Sequence, residues 1–161
     1  MTQIDQAIMH AKEPIDGALG TAYATIDGRR YLLFQLKKFE AKYSKNKQEI
    51  KRLGTTTAGN RSSGVKGTWT ATLYYNTDIF RKMMIDYANT GKDIYFDIQI
   101  TNDDPNSSAG RHTTIYYDCN IDDVVLSKID VDNNVLDEDI QGTFERADMP
   151  ESFKVLDGME G

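Results

Sequence analysis

Residues 93–101 alternate strictly: Ile94, Phe96, Ile98 and Ile100 fall on one side of the chain, Asp93, Asp97, Gln99 and Thr101 on the other. A period of two places one face of a strand in a core and the other in water. The period changes just upstream. Ile79, Met83 and Tyr87 recur at i, i+4 and i+8, with Phe80 and Met84 alongside, and this apolar stripe predicts a helix over about 77–90. Asn76 and Thr77 are good N-caps, and Gly91 suits the left-handed position after the last turn. Before the helix, Thr-Trp-Thr-Ala-Thr-Leu-Tyr-Tyr at 68–75 is β-branched and aromatic, as a strand requires. The centre of the chain thus reads strand, helix, strand, with one helix to cover one sheet. Its expected core is Trp69, Ile79, Met83, Tyr87 and Phe96.

The flanks read as further strands. Residues 22–26 and 30–34 enclose Asp27-Gly28, a type I′ hairpin signal. Phe39, Ala41 and Tyr43 alternate with Lys38, Glu40, Lys42 and Ser44, predicting a long strand whose lysines blunt an exposed edge. Downstream, Thr113, Ile115, Tyr117, Cys119 and Ile121 alternate with Thr114, Tyr116, Asp118 and Asn120. That places Cys119 on the apolar face as a small core residue. Val124, Leu126, Ile129 and Val131 extend the region, and Ile140, Gly142 and Phe144 mark a last strand. Residues 1–20 hold Ile4, Ala7, Ile8 and Ala11 at helical spacing, but Pro14 and Gly17 stop anything long. This N-terminal arm either frays or docks on a neighbouring subunit. A tail over 148–161 carries Phe153, Val155 and Leu156 as a small clasp.

Residues 53–66 break the pattern, running through Leu53-Gly54-Thr55, Asn60-Arg61 and Gly64-Val65-Lys66. Lys47, Lys51 and Arg52 stand just ahead of them. Between Gly54 and Gly64 only Arg61 is charged and nothing is large or apolar. Such a segment has no anchor of its own and is expected to be a long, mobile loop. A phosphate-cradling loop is disfavoured, since the Walker spacing is absent and no helix start follows.

At 161 residues the chain fits one domain with a sizeable core. No apolar run approaches membrane-spanning length, and no secretory leader is recognisable, so insertion in a membrane is not expected. A single cysteine fits a reducing cytosol. The net charge of −6 conceals an asymmetry. Residues 29–66 hold eleven Lys/Arg against two Glu, a net +9, whereas residues 93–161 hold seventeen Asp/Glu against four Lys/Arg, a net −13. Two solvated faces would account for this; so would a molecule with complementary ends that binds copies of itself.

Catalytic and metal patterns are weak. Asp130, Asp132 and Asn134 imitate the start of a calcium loop, but Val135 stands where that loop needs Gly and Gln141 where it needs Glu. His10 and His112 have no cluster at metal-site spacing. There is no nucleophile elbow or cofactor fingerprint, so neither an enzyme nor a cofactor is expected. The basic stretch has few interleaved aromatics. Residue pattern alone leaves two classes open, a self-assembling structural protein and a monomeric β-barrel binding module.

Several segments in order resemble the tail tube proteins of contractile-tailed phages, of the PBSX type found in prophages and phage-tail-like bacteriocins. They are Ala24-Thr25-Ile26-Asp27-Gly28, Lys38-Phe39-Glu40-Ala41 with Lys45-Asn46-Lys47, residues 67–74, and Met83-Met84-Ile85-Asp86-Tyr87. Ile94-Tyr95-Phe96, Asp130-Val131-Asp132 and the segment from Asp137-Glu138-Asp139 to Phe144-Glu145 follow. The resemblance covers residues 20–153 and implies a mainly β fold, two packed antiparallel sheets forming a small barrel or sandwich with one flanking helix. It further implies hexameric rings stacked into a tube inside a contractile sheath, with baseplate and tail-terminator proteins as further partners and DNA as a passenger in the lumen. Assembly would occur in the bacterial host cytoplasm, before incorporation in the phage or bacteriocin particle. In that arrangement residues 47–66 reach the adjacent ring, and strands around 36–43, 66–75, 113–126 and 134–144 are candidates for the lumen sheet.

Overall fold

The computed structural model describes residues 8–156 and 158–160; the expectations for Ile4, Ala7 and the extreme tail lie outside them. The first hairpin joins β1 (Gly20–Ile26) to β2 (Arg29–Leu32). Asp27 and Gly28 sit at φ 49° and 76°, as a type I′ turn demands. β3 (Leu36–Ile50) pairs with β4 (Gly59–Tyr74) along nearly its whole length. The helix α1 (Ile79–Thr90) leads to β5 (Phe96–Asp103), β6 (Arg111–Asp123), β7 (Asp137–Phe144) and β8 (Arg146–Glu151). All pairings are antiparallel. One sheet runs β2-β1-β5-β6-β8 and the other β3-β4-β7-β6, so β6 belongs to both.

The two sheets face each other across one core. Ala22, Ala24, Phe96, Ile98 and Cys119 come from the first, and Trp69, Ala71, Leu73, Ile140 and Phe144 from the second. Rings run through it as a continuous series: Tyr43 meets Phe144, then Tyr116, Phe39, Trp69, Phe96 and Phe80, with centroids 4.9–6.1 Å apart. Offset and tilted pairs of this kind add to the burial of the rings.

Five details differ from the sequence reading. In α1 the buried side chains are Phe80, Arg81 and Met83, whereas Tyr87 is 49% exposed. Ile79 is partly buried. The helix packs by its first turns, Phe80 against Phe96, while Tyr87 only borders a groove with Ile94, Asn120 and Ile121. The helix also starts one residue later than its expected caps, at Asp78, without a side-chain cap bond. The Thr77 carbonyl and the Asp78 carboxylate instead accept from Arg81.

In β6 the alternation does not run unbroken from Thr113 to Ile121. Tyr117 and Asp118 together oppose Asp97, because Phe96 pairs with Cys119 but Ile98 with Tyr116. Asp118 takes φ 55° and its N–H bonds the Asp97 carboxylate. This bulge moves Tyr116 to the core face that Cys119 and Ile121 share. β6 ends at Asp123, and the aliphatics beyond it do not extend a strand. Residues 148–151, expected to open the tail, are strand instead, since Asp148 and Glu151 pair with Ile115 and Thr113.

Candidate assembly surfaces

The sheet made by β3, β4, β7 and β6 turns a polar face outward over its middle rows. Its cross-strand rows are Lys38, Thr72 and Asp139; Glu40, Thr70, Gln141 and Asp123; and Lys42, Thr68 and Thr143. The Thr72 hydroxyl donates to Asp139 at 2.7 Å, and the Gln141 amide donates to Asp123. The rows between them, Phe39 with Ala71 and Ile140, and Ala41 with Trp69 and Gly142, point into the core. The pleat thus sorts the sheet into a wet face and a dry one. Its outer strand β3 has no further neighbour among the described residues. At the other margin β6 leaves β5 at Cys119, and Ile121 to Asp123 pair only with β7.

Residues 47–66 correct the loop expectation. Lys47 pairs with Ser62 and Ile50 with Gly59, so Lys47, Asn60, Arg61, Gly64, Val65 and Lys66 are strand residues. Only residues 51–58, with Lys51, Arg52, Leu53, Gly54 and Thr55, form the connecting tip. Backbone pairing supplies the order that side-chain burial does not, and it needs no apolar residue. Gly64 at φ 126° sits beside the register shift between Lys45 and Lys47. β7 reaches only to Gly67, so the ribbon runs on past the sheet as two bare strands. From Ser44 to Ile50 that is roughly 23 Å at about 3.3 Å per residue. Leu53 is fully exposed at its tip and Val65 58% exposed near its base.

The opposite pole of the same sheet is built by the connections around Tyr74 and Tyr75. The Tyr74 N–H donates to the Gln35 carbonyl and the Tyr75 N–H to the Leu136 carbonyl. There the segment between β6 and β7 exposes Ile129 by 97% and Val131 by 93%, and Phe34 stands out by 85%. Ile129 and Val131, expected to extend the region after β6, lie in no strand; Asp130 stands between them and Asp132 follows. The Asp130 carboxylate accepts from the Asp132 N–H, a local turn of the kind Asp favours.

The pole is anchored from below by Arg81. Its guanidinium donates to the Val125 carbonyl at 2.9 Å, to the Thr77 carbonyl at 2.7 Å, and to Asp78 and the buried Glu138. Burial pushes the Glu138 carboxyl above its ordinary value, against the pull of Arg81. Lys37 bonds Asp137 at 2.8 Å on the rim. On the first sheet, Glu13 is buried and accepts from the Ser108 hydroxyl and N–H, which hold its carboxyl below the usual range. The arm is thereby docked on its own chain at Glu13. Phe153 stacks on His112 at 4.5 Å.

Trp69, Phe96 and Cys119 are buried. Burial pushes the Cys119 thiol up to about 12, so it stays protonated and unreactive at neutral pH. Among the described residues no three His, Cys, Asp or Glu side chains are grouped to hold a metal ion, and no helix is long and apolar enough to cross a membrane. A cleft of about 730 Å³ opens between the β1–β2 edge and β3, lined in part by Leu32, Phe34, Leu36 and Lys37. The molecule's distinctive features are therefore surfaces: a polar sheet face, a bare ribbon and an apolar, acidic pole.

Comparison with known proteins agrees in fold and in sequence. The chain is similar in fold to a component of the anti-feeding prophage baseplate determined with 6-fold symmetry (TM-score 0.63, 8% identity, 84% of this chain and 95% of that one). It is likewise similar to a chain of the sheath–tube complex of the PVC extracellular contractile injection system in its extended state (TM-score 0.61, 12% identity, 88% and 94%). A third similar structure is the SPP1 tail tube (TM-score 0.60, 13% identity, 88% and 81%). In sequence it is 36% identical over 145 residues to the phage-like element PBSX protein XkdM of Bacillus subtilis strain 168, covering 90% of this chain and 96% of that one. The uncharacterized protein YqbM of the same organism is 36% identical over 146 residues, covering 91% and 97%. With the family model for phage tail tube proteins matching residues 7–151, the chain belongs to the phage tail tube protein family.

Proposed function

We propose that this chain is the repeating subunit of the inner tube of a contractile tail, closed into rings of six that stack along the tail axis. The observation that carries the reading is the polar face of the β3-β4-β7-β6 sheet, bounded by the outer edge of β3, open among the described residues, and the free end of β6. Unpaired edges are templates for strand pairing. When β3 of one copy pairs beside β6 of the next, the sheets become a closed wall and lose their edges. The wet face then lines the bore with two lysines, three acids and five uncharged polar residues, and a mixed surface of this kind holds a passing polyanion weakly. The number six rests on the symmetry of the baseplate structure with the similar fold and on the family resemblance. The sheath would cover the outside, and baseplate and terminator proteins would close the ends.

Negative-stain microscopy of the purified chain tests this. Tubes or six-membered rings with a stain-filled centre are expected, assembled in the host cytoplasm and carried into the particle in the cell. Monomers alone, at any concentration the protein tolerates, would overturn it.

A further inference from the structure

The tube reading leaves open what the ribbon grips. Four observations bear on it, each independent of that reading. First, the ribbon beyond Tyr43 and Gly67 has no further strand partner among the described residues, and a lone two-stranded ribbon is marginally stable in water. Second, its charge is one-sided. Residues 44–66 hold six Lys/Arg against Glu49, and none of these groups makes an ion pair among the described residues. Third, the pole at the far end of the same sheet has the opposite character. Asp122, Asp130 and Asp132 make no ion pair among the described residues, and Ile129 and Val131 beside them stand almost fully in solvent. Fourth, ribbon and pole lie at the two ends of the same strands: β4 runs from the ribbon at Gly59 to Tyr74, whose neighbour Tyr75 bonds Leu136.

We propose that the acidic, apolar pole at residues 122–135 is the receptor for the β3–β4 ribbon tip of a second copy. Leu53 seats against Ile129 and Val131, while Lys51 and Arg52 face Asp130 and Asp132. Exposed aliphatics ringed by charge mark association surfaces, and opposite charge selects the partner and register. Because the two surfaces differ and sit at opposite ends, the contact is heterologous. It repeats along an axis instead of closing on itself. The proposal rests on the tube reading and specifies the ring-to-ring contact within it.

A charge exchange tests it. Lys51→Glu/Arg52→Glu and Asp130→Lys/Asp132→Lys alter only exposed side chains, so each variant keeps the circular dichroism and melting temperature of the parent. Each pair alone is expected to raise the concentration needed for tube growth about tenfold, leaving single rings. The chain carrying all four substitutions restores growth, and 1 M salt, where the Debye length is about 3 Å, weakens the parent's growth. Normal tubes from either pair alone, or no recovery in the fourfold variant, would overturn the pairing while rings still formed. Absence of rings from the parent would overturn the tube reading instead.

Discussion

At Gly142 the core leaves no room for a single methyl group. A Cβ there would lie 1.9 Å from the Asn120 carbonyl oxygen and 2.9 Å from the Trp69 ring. The Asn120 atom is backbone and cannot swing away. Trp69 lies against the bare glycine and donates its indole N–H to the Thr143 carbonyl at 3.1 Å. Gly142→Ala is therefore expected to cost about 3 kcal/mol or more, since overpacking here forces backbone to move. In a domain of this size that is roughly 10 °C of melting temperature. Gly17→Ala is the control, because nothing lies within 4 Å of its Cβ, and thermal denaturation of both variants checks the contrast. A glycine inside a strand pattern already signals close approach, so Gly142 was legible as special. Its partner was not, because Trp69 and Asn120 are brought to it by two different strand pairings.

Among the elements, α1 is held by Arg81 as well as by the buried Phe80 and Met83 of its first turns. This one side chain ties the helix start, the segment after β6 and β7 together through Thr77, Val125 and Glu138. Arg81→Met leaves Glu138 buried without its cation, a loss of about 3–5 kcal/mol. Replacing the pair by Arg81→Met/Glu138→Leu recovers most of it, because two apolar groups leave no charge stranded. Denaturation midpoints of the two variants measure the difference. The sign with pH follows from Glu138, whose carboxyl sits above its ordinary value and rises further without Arg81. A raised acid favours folding while protonated, so the single variant loses stability as pH climbs past about 4.3, the unfolded value. Nothing in the helical period revealed Arg81, which looks like any surface charge at i+2 from Ile79. The strands with clean alternation, such as β5, were legible because burial of one face writes itself into the sequence. The Asp118 bulge and the ribbon were not, since positive φ in an Asp and pairing between polar residues such as Gln48 with Arg61 and Glu49 with Asn60 leave no apolar period to detect.

At the scale of the molecule, the ribbon is an appendage to a sheet that is complete without it. Every aromatic contact of the core lies on the sheet side of the last β7 pairing, Gly67 with Phe144. Joining Ser44 to Lys66 through Asn-Gly, a two-residue hairpin turn, should leave a folded subunit with parental near-ultraviolet circular dichroism. The same variant should form rings without long tubes in negative stain; parental tube lengths would show that the ribbon is not what joins one ring to the next. The opposed placement of ribbon and acidic pole also gives any such stack an arrow. Every copy points the same way, so the filament has two unlike termini, one bristling with basic fingers and the other offering acidic sockets. A stopper shaped for one terminus is a stranger to the other. Starting a tube and finishing it are then two separate recognition problems, each requiring its own molecule.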